Sequence, residues 1–187
     1  PSTPVPATQP ELMGDAATLM RTTRGLTQKR IRELMNLSPE LAKLNYERYH
    51  AFELPFNKDN ALPAGLIFNG DVYRGLDART LSEQQLDWAQ NRVAILSGLY
   101  GLLRPLDLIQ PYRLEMGTRL KTRRGENLYS FWGDKISKSI AARLDEHDDP
   151  TLINLASNEY FKAARAKQLK TPVIECVFED WKTSPDE

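Results

Sequence analysis

A helix-rich α+β domain is the fold class this sequence predicts, and three observations carry it. Helix-start signals recur along the chain, above all Ser38-Pro39 and the pair Ser82 and Gln85. Apolar residues fall at helical spacing, most regularly Trp132, Ile136, Ile140 and Leu144. Short apolar runs bounded by polar turns, at Leu66–Asn69, Thr151–Ala156 and Pro172–Phe178, read as a few scattered strands. The expected organisation is a proline-rich linker or loop over 1–10 and one mixed domain over 11–187.

Taken in order, Glu11–Arg24 reads as a helix closed by Gly25. Thr27 caps a second helix through Asn36, with Ile31, Leu34 and Met35 on one face. Ser38 and Pro39 open a third that runs to about His50 and is expected to bury Leu41, Leu44 and Tyr49. Leu66–Asn69 follows as a strand ending at Gly70-Asp71. Ser82 and Gln85 form a capping box, and their helix carries Leu86, Ala89, Val93 and Leu96 into Gly98. Pro105–Gln110 leaves room for about one further helical turn, Tyr112–Met116 reads as extended, and Arg119–Gly125 as a basic loop. A striped helix spans Ser130–Leu144, a buried strand Thr151–Ala156, a Ser157-capped helix follows, and Pro172–Phe178 closes as a strand in which Cys176 is a small buried side chain. There is no internal repeat.

Composition excludes several function classes. Of 187 residues 27% are charged and 41% hydrophobic, the balance of a chain able to bury a sizeable core. No apolar run of about 18 residues occurs, so no membrane-spanning helix is expected. The start lacks the basic-then-apolar layout of a secretory signal, and a lone cysteine allows no intrachain disulfide, which points to a reducing, cytoplasmic setting. Two distant histidines, His50 and His147, give no metal-ligand spacing, and no cofactor is implied. Net charge is zero, against a bulk-charge polyanion binder, yet the charges are segregated. Arg21–Arg32 holds five cations and no acid, Arg104–Arg124 six against two acids, and Lys162–Lys170 four and no acid, while acids collect at Asp145–Asp149 and in the tail from Glu175. Segregation of this kind can present one positive face.

Three constellations could carry chemistry. Gly98-Leu99-Tyr100-Gly101, followed by Arg104 and Pro105, reads as a tight hairpin between helices whose backbone amides hold phosphate. The alternative is a glycine turn whose leucines pack in the core; two residues between the glycines, rather than one, and a short second helix depart from the usual helix-hairpin-helix module. Arg113, Arg119, Lys121, Arg123 and Arg124 offer a dense basic segment beside it, for polyanion contact or as a solvated loop. Asp71, Asp134, Asn158 and Glu159 sit in polar clusters that end apolar runs and could converge as acid–base and ligand-fixing groups; singly, each also fits turn and capping chemistry.

Phe68-Asn-Gly-Asp-Val-Tyr73, Leu96–Gly117, Leu128-Tyr-Ser-Phe-Trp-Gly-Asp134 and Ile153–Lys162, taken together, closely resemble the bacterial YaaA family of peroxide-stress proteins. The resemblance covers most of the chain. It implies a cytosolic protein that limits oxidative damage under hydrogen peroxide, in part by keeping free iron low. It also implies DNA binding through a positively charged cleft and a helix-hairpin-helix-like element. Gly98, Leu99, Tyr100 and Gly101 match the family's hairpin segment, and Arg104, Arg113 and Arg119 match basic positions beside it. Relative to that family the chain is expected to be incomplete at both ends, lacking a Ser-Pro-Ala-Lys strand before it and a Lys-x-Ala-Arg-Gly segment after it. The leading expectation is a DNA-binding stress protein that contacts phosphates with little sequence specificity, not an enzyme. An enzyme acting on a nucleotide or nucleic-acid bond is the alternative.

Overall fold

The computed structural model describes residues 6–177, so residues 1–5 of the proline-rich start, Phe178 and the rest of the acidic tail lie outside the described residues. The architecture is mixed α and β, with helices dominant and, among the described residues, strands gathered in three small two-stranded sheets.

The first third is helical, as the capping signals require. Helices α1 (Met13–Arg24), α2 (Gln28–Met35) and α3 (Pro39–Ala51) follow one another. The Thr27 hydroxyl accepts from the Arg30 amide at 3.2 Å and Ser38 from Leu41 at 3.3 Å, each satisfying an orphan N–H. Asn36, left-handed at φ 50°, turns the chain out of α2. The stripe that α3 buries is Ala42, Asn45 and Tyr49, while Leu41 and Leu44 are each 39% exposed. Tyr49 sets that phase: its hydroxyl donates to the Arg113 carbonyl, and the Arg24 guanidinium bonds the Tyr49 carbonyl at 2.8 Å and that of Phe52. Two long-range polar partners thus outweigh the leucine pair.

Strand β1 (Leu62–Pro63) pairs antiparallel with β4 (Leu108–Ile109), and the expected strand at Leu66–Asn69 is instead the one-turn helix α4 (Ala64–Ile67). The Ala64 and Gly65 amides donate to the Asp107 and Pro105 carbonyls at 2.8 Å, which curls the chain before Leu66 can extend. Helix α5 (Asp71–Leu76) and helix α6 (Glu83–Arg92) come next, the latter opened by the full Ser82–Gln85 capping box.

The largest departure lies just beyond. Helix α6 stops at Arg92 rather than running to Leu96, and Ile95–Ser97 is strand β2, paired antiparallel with β3 (Gly101–Leu103). Gly98-Leu99-Tyr100 is therefore the loop of a β-hairpin, not a junction between helices, and Pro105–Gln110 forms a turn and β4 rather than a helix. Long-range packing dictates this. A Cβ on Gly98 would overlap the Leu114 carbonyl oxygen, so the two backbones touch. Gly101 has φ +74°, and a Cβ there would stand 2.8 Å from the Trp132 ring. Trp132, 1% exposed, donates its indole N–H to the Gly98 carbonyl at 3.0 Å.

Gly133, at φ 56°, splits the expected Ser130–Leu144 helix into α7 (Leu128–Trp132) and α8 (Lys135–Leu144), while Trp132, Ile136 and Ile140 stay buried. Strand β5 (Leu152–Asn154) and, after α9 (Asn158–Phe161), strand β6 (Val173–Glu175) pair in parallel where apolar runs predict strands. They are less buried than expected: the cross-strand partners Ile153 and Ile174 are 58% and 52% exposed, and Cys176 is exposed too.

An aromatic chain runs through the core. Phe52–Phe56, Phe56–Tyr100, Tyr100–Tyr112, Tyr112–Phe68 and Phe68–Tyr73 follow at centroid spacings of 5.4, 6.2, 5.3, 6.1 and 5.1 Å. The hydroxyls of Tyr112 and Tyr100 have partners. The Tyr112 hydroxyl shares a 2.5 Å bond with Ser97 Oγ, which also accepts the Tyr100 amide at 2.9 Å; the Tyr100 hydroxyl accepts the Gln110 amide at 3.1 Å. Burial pushes the Tyr73 phenol up to about 12 and raises those of Tyr49, Tyr100 and Tyr112 as well.

Two outcomes follow from these contacts. Gly98→Ala should lower unfolding free energy by about 3 kcal/mol in a urea titration, since backbone must move to admit the methyl. Gly14→Ala in α1, where a Cβ meets nothing within 4 Å, should instead add about 0.5–1 kcal/mol. In alkali, the unfolded chain releases phenolic protons near 10, whereas the native Tyr73 keeps its own to about 12. The tyrosine contribution is thus unaffected below that interval and falls as pH rises across it. Phenolate absorbance should rise late and together with loss of circular dichroism; complete titration near 10 with a native spectrum would contradict the buried chain of phenols.

Candidate functional site

The six expected basic contacts divide by how the fold uses them. Arg104 is committed internally. Its guanidinium bonds Asp107 at 3.2 Å and its amide donates to the other carboxylate oxygen at 2.8 Å, with the Asp107 side chain only 2% exposed. Arg113 pairs with Glu115 at 2.8 Å and Lys121 with Glu126 at 2.9 Å, both at the surface. Arg124 meets Asp15 of α1 at 2.5 Å and lies 4.7 Å over the Phe131 ring of α7. Arg119 and Arg123 are exposed and have no carboxylate within ion-pair distance among the described residues.

The loop that carries them is ordered by its own backbone. Thr122 and Gly125 exchange amide bonds of 2.8 and 3.3 Å, and the Thr122 hydroxyl accepts from the Arg124 amide at 3.0 Å. This small turn displays Arg123 at its tip. Lys162, from the third cation-rich segment, sits 4.8 Å over the ring of Tyr129, also on α7. Two of the three basic segments therefore flank one short helix.

The hairpin is not part of this surface. Gly98, Leu99, Tyr100 and Gly101 are all buried, with Leu99 and Tyr100 0% exposed. The Tyr100 amide is taken by Ser97, and the Gly98 carbonyl by Trp132. An amide-lined tip open to phosphate is thus corrected to a packed β-turn whose glycines admit the Leu114 backbone, at Gly98, and the Trp132 ring, at Gly101.

Three of the four polar candidates have separate partners. Asp71 pairs with Arg74, its neighbour along α5. Asp134 pairs with Lys138 at 2.5 Å, and that hydrogen bond holds its carboxyl below the usual range. Asn158 is exposed in the first turn of α9. Glu159 accepts the Gly117 amide at 2.7 Å, and its backbone carbonyl accepts the Tyr129 hydroxyl at 2.9 Å, so it braces α9 against the Met116-Gly117 loop and α7.

A second feature was only partly legible, through the polar cluster Phe68–Tyr73 that ends the Leu66–Asn69 run. An open cleft of about 460 Å³ lies along α4, α5 and the turn after them, with Phe68, Asn69, Tyr73, Arg74, Asp77 and Arg79 among its walls. Asp71, Asp134, Asn158 and Glu159 do not line it. A further signal in the sequence was Gly75-Leu-Asp77-Ala-Arg79, a turn residue two positions before a cation. Among the described residues, no helix is long and apolar enough to cross a membrane.

A family model described as "Peroxide stress protein YaaA" matches residues 1–185. A UPF0246 protein of Caulobacter vibrioides is 53% identical over 182 residues, covering 97% of this chain and 71% of that protein. UPF0246 proteins of Bordetella avium and Bordetella petrii are 55% and 54% identical, covering 96% and 94% of this chain and 71% and 68% of their own lengths. The chain belongs to the YaaA, or UPF0246, family of peroxide stress proteins.

Proposed function

We propose that this peroxide stress protein binds DNA through its phosphates and so limits iron-linked oxidative damage at the nucleic acid. The basic loop Arg119–Arg124 is the contact surface. One observation carries the reading: Arg119 and Arg123 are exposed, close in sequence and without a carboxylate partner among the described residues. Lys121 lies between them in sequence, and its surface pair with Glu126 is weak enough for a phosphate to replace. The hairpin Gly98–Gly101 and Arg104 act as scaffold. Phosphate contact gives affinity without sequence preference.

Fluorescence anisotropy with labelled duplexes of two unrelated sequences tests this. Arg119→Glu combined with Arg123→Glu should weaken binding on both duplexes by about tenfold or more and flatten the salt dependence by about two counterions. Unchanged affinity, or heparin competing as well for the variant as for the parent chain, overturns it.

A further inference from the structure

The cleft beside α5 has the parts of a small-molecule site, and the DNA reading makes no use of them. Its volume of about 460 Å³ lies within the range of roughly 300–1,000 Å³ that encloses one small ligand. One wall is aromatic: Phe68 and Tyr73 stack at 5.1 Å with 25° between their planes, and both line the cleft. The opposite chemistry is cationic. Arg74 and Arg79 line the same space against one lining carboxylate, Asp77.

The local fold builds this arrangement rather than leaving it to chance. Asp77 adopts the left-handed conformation at φ 39°, ψ 58°, and closes α5 by donating its amide to the Tyr73 carbonyl at 3.0 Å. The Asp77 carbonyl then accepts both the amide and the hydroxyl of Thr80 at 2.9 Å. Ala78, 6% exposed, anchors the turn in the protein. The result returns Arg79 to the cleft, exposed and with no carboxylate partner among the described residues. Among the described residues Arg74 pairs with Asp71, whose side chain is 94% exposed, a contact that an incoming anion replaces at little cost.

We infer that this cleft binds a nucleoside monophosphate, with the base against the Phe68–Tyr73 pair and the phosphate between the Arg74 and Arg79 guanidinia. Planar heteroaromatic rings stack on such side chains, and the guanidinium fork matches phosphate oxygens two at a time. The Asn69 amide, which offers both a donor and an acceptor, reads the edge of the base. The Asp77 carboxylate accepts from the ribose hydroxyls. Two guanidinia with a single carboxylate lining the cleft, Asp77, and one exposed, displaceable partner outside it, Asp71, suit one phosphate group. No residue of the basic loop Arg119–Arg124 lines the cleft, and the inference does not rest on the DNA reading.

Isothermal titration of the chain with AMP, GMP, CMP and UMP, and with ribose 5-phosphate and inorganic phosphate as comparators, tests it. At least one nucleotide should saturate a single site about tenfold more tightly than either comparator. Arg79→Ala should cut that affinity about tenfold or more, and because Arg79 is exposed its thermal melt should match the parent. Tyr73→Leu should weaken the nucleotide but not inorganic phosphate. The double variant Arg119→Glu, Arg123→Glu should bind the nucleotide unchanged, which separates this site from the DNA surface. Absence of saturation with all four nucleotides, equal affinity for inorganic phosphate, indifference to Arg79→Ala, or loss in the double variant each overturns the inference.

Discussion

The buried carboxylate of Asp107 is the constraint around which the rest of this fold is arranged. A charged group only 1% exposed is tolerable only when its lone pairs are filled. Arg104 fills two directions, through amide and guanidinium, and the Thr8 hydroxyl donates a third at 2.6 Å. Thr8 also bridges the chain beside Asp107, taking the Leu108 amide at 2.8 Å and giving its own to Leu106 at 2.9 Å. From α6, Gln90 completes the net, accepting the Leu106 amide at 2.8 Å and donating to Thr8 at 2.9 Å. Asp107 therefore ties the early chain and the end of the hairpin together through its carboxylate, reaches α6 through Thr8 and Gln90, and holds α4 through its backbone carbonyl. Removing it would leave a partly buried guanidinium, the Arg104 amide and the proton of the Thr8 hydroxyl without their acceptor at once.

That commitment explains which features were legible in the sequence. The starts of α2, α3 and α6 were, because Thr27, Ser38 and the Ser82–Gln85 box satisfy amides within their own first turn. The positions of β5 and β6 were legible as short apolar runs, but the exposure of Ile153, Ile174 and Cys176 depends on what the other face of the pair meets. The hairpin was misread because its glycines answer to partners far along the chain: the Leu114 carbonyl for Gly98 and the Trp132 ring for Gly101. A glycine that permits contact with phosphate and one that permits contact with another backbone look alike in sequence. The phase of α3 failed for a similar reason, since Tyr49 is fixed by Arg113 and Arg24 rather than by its neighbours in the helix.

Charge shows the same divide between inventory and use. Six cations from Arg104 to Arg124 read as one basic segment, yet the fold grades them. Arg104 is locked, because its partner is buried and releasing it would strand a desolvated carboxylate. Arg124 is held between Asp15, 14% exposed at its side chain, and the face of Phe131. Lys121 and Arg113 sit in exposed pairs worth about 0–1 kcal/mol each, which an anion can replace. Arg119 and Arg123 carry their charge without such a partner among the described residues. Availability to an anionic ligand thus follows burial of the partner, not proximity in sequence.

The same criterion orders the arginines outside that segment and divides the surface by chemistry. Arg24 caps the carbonyls that end α3, and the Arg143 guanidinium, drawn below its ordinary value by burial, reaches the Gln90 and Val93 carbonyls at the end of α6. Both are structural, each closing a helix C-terminus where a cation complements the dipole. Arg74 and Arg79 differ because their setting is a cleft with aromatic walls rather than a helix end. Where a guanidinium faces backbone carbonyls it completes the fold. Where it faces solvent beside stacked rings, its remaining donors are open to a ligand. In this molecule that distinction, rather than the number of basic residues, separates the scaffold from the surfaces on which function can rest.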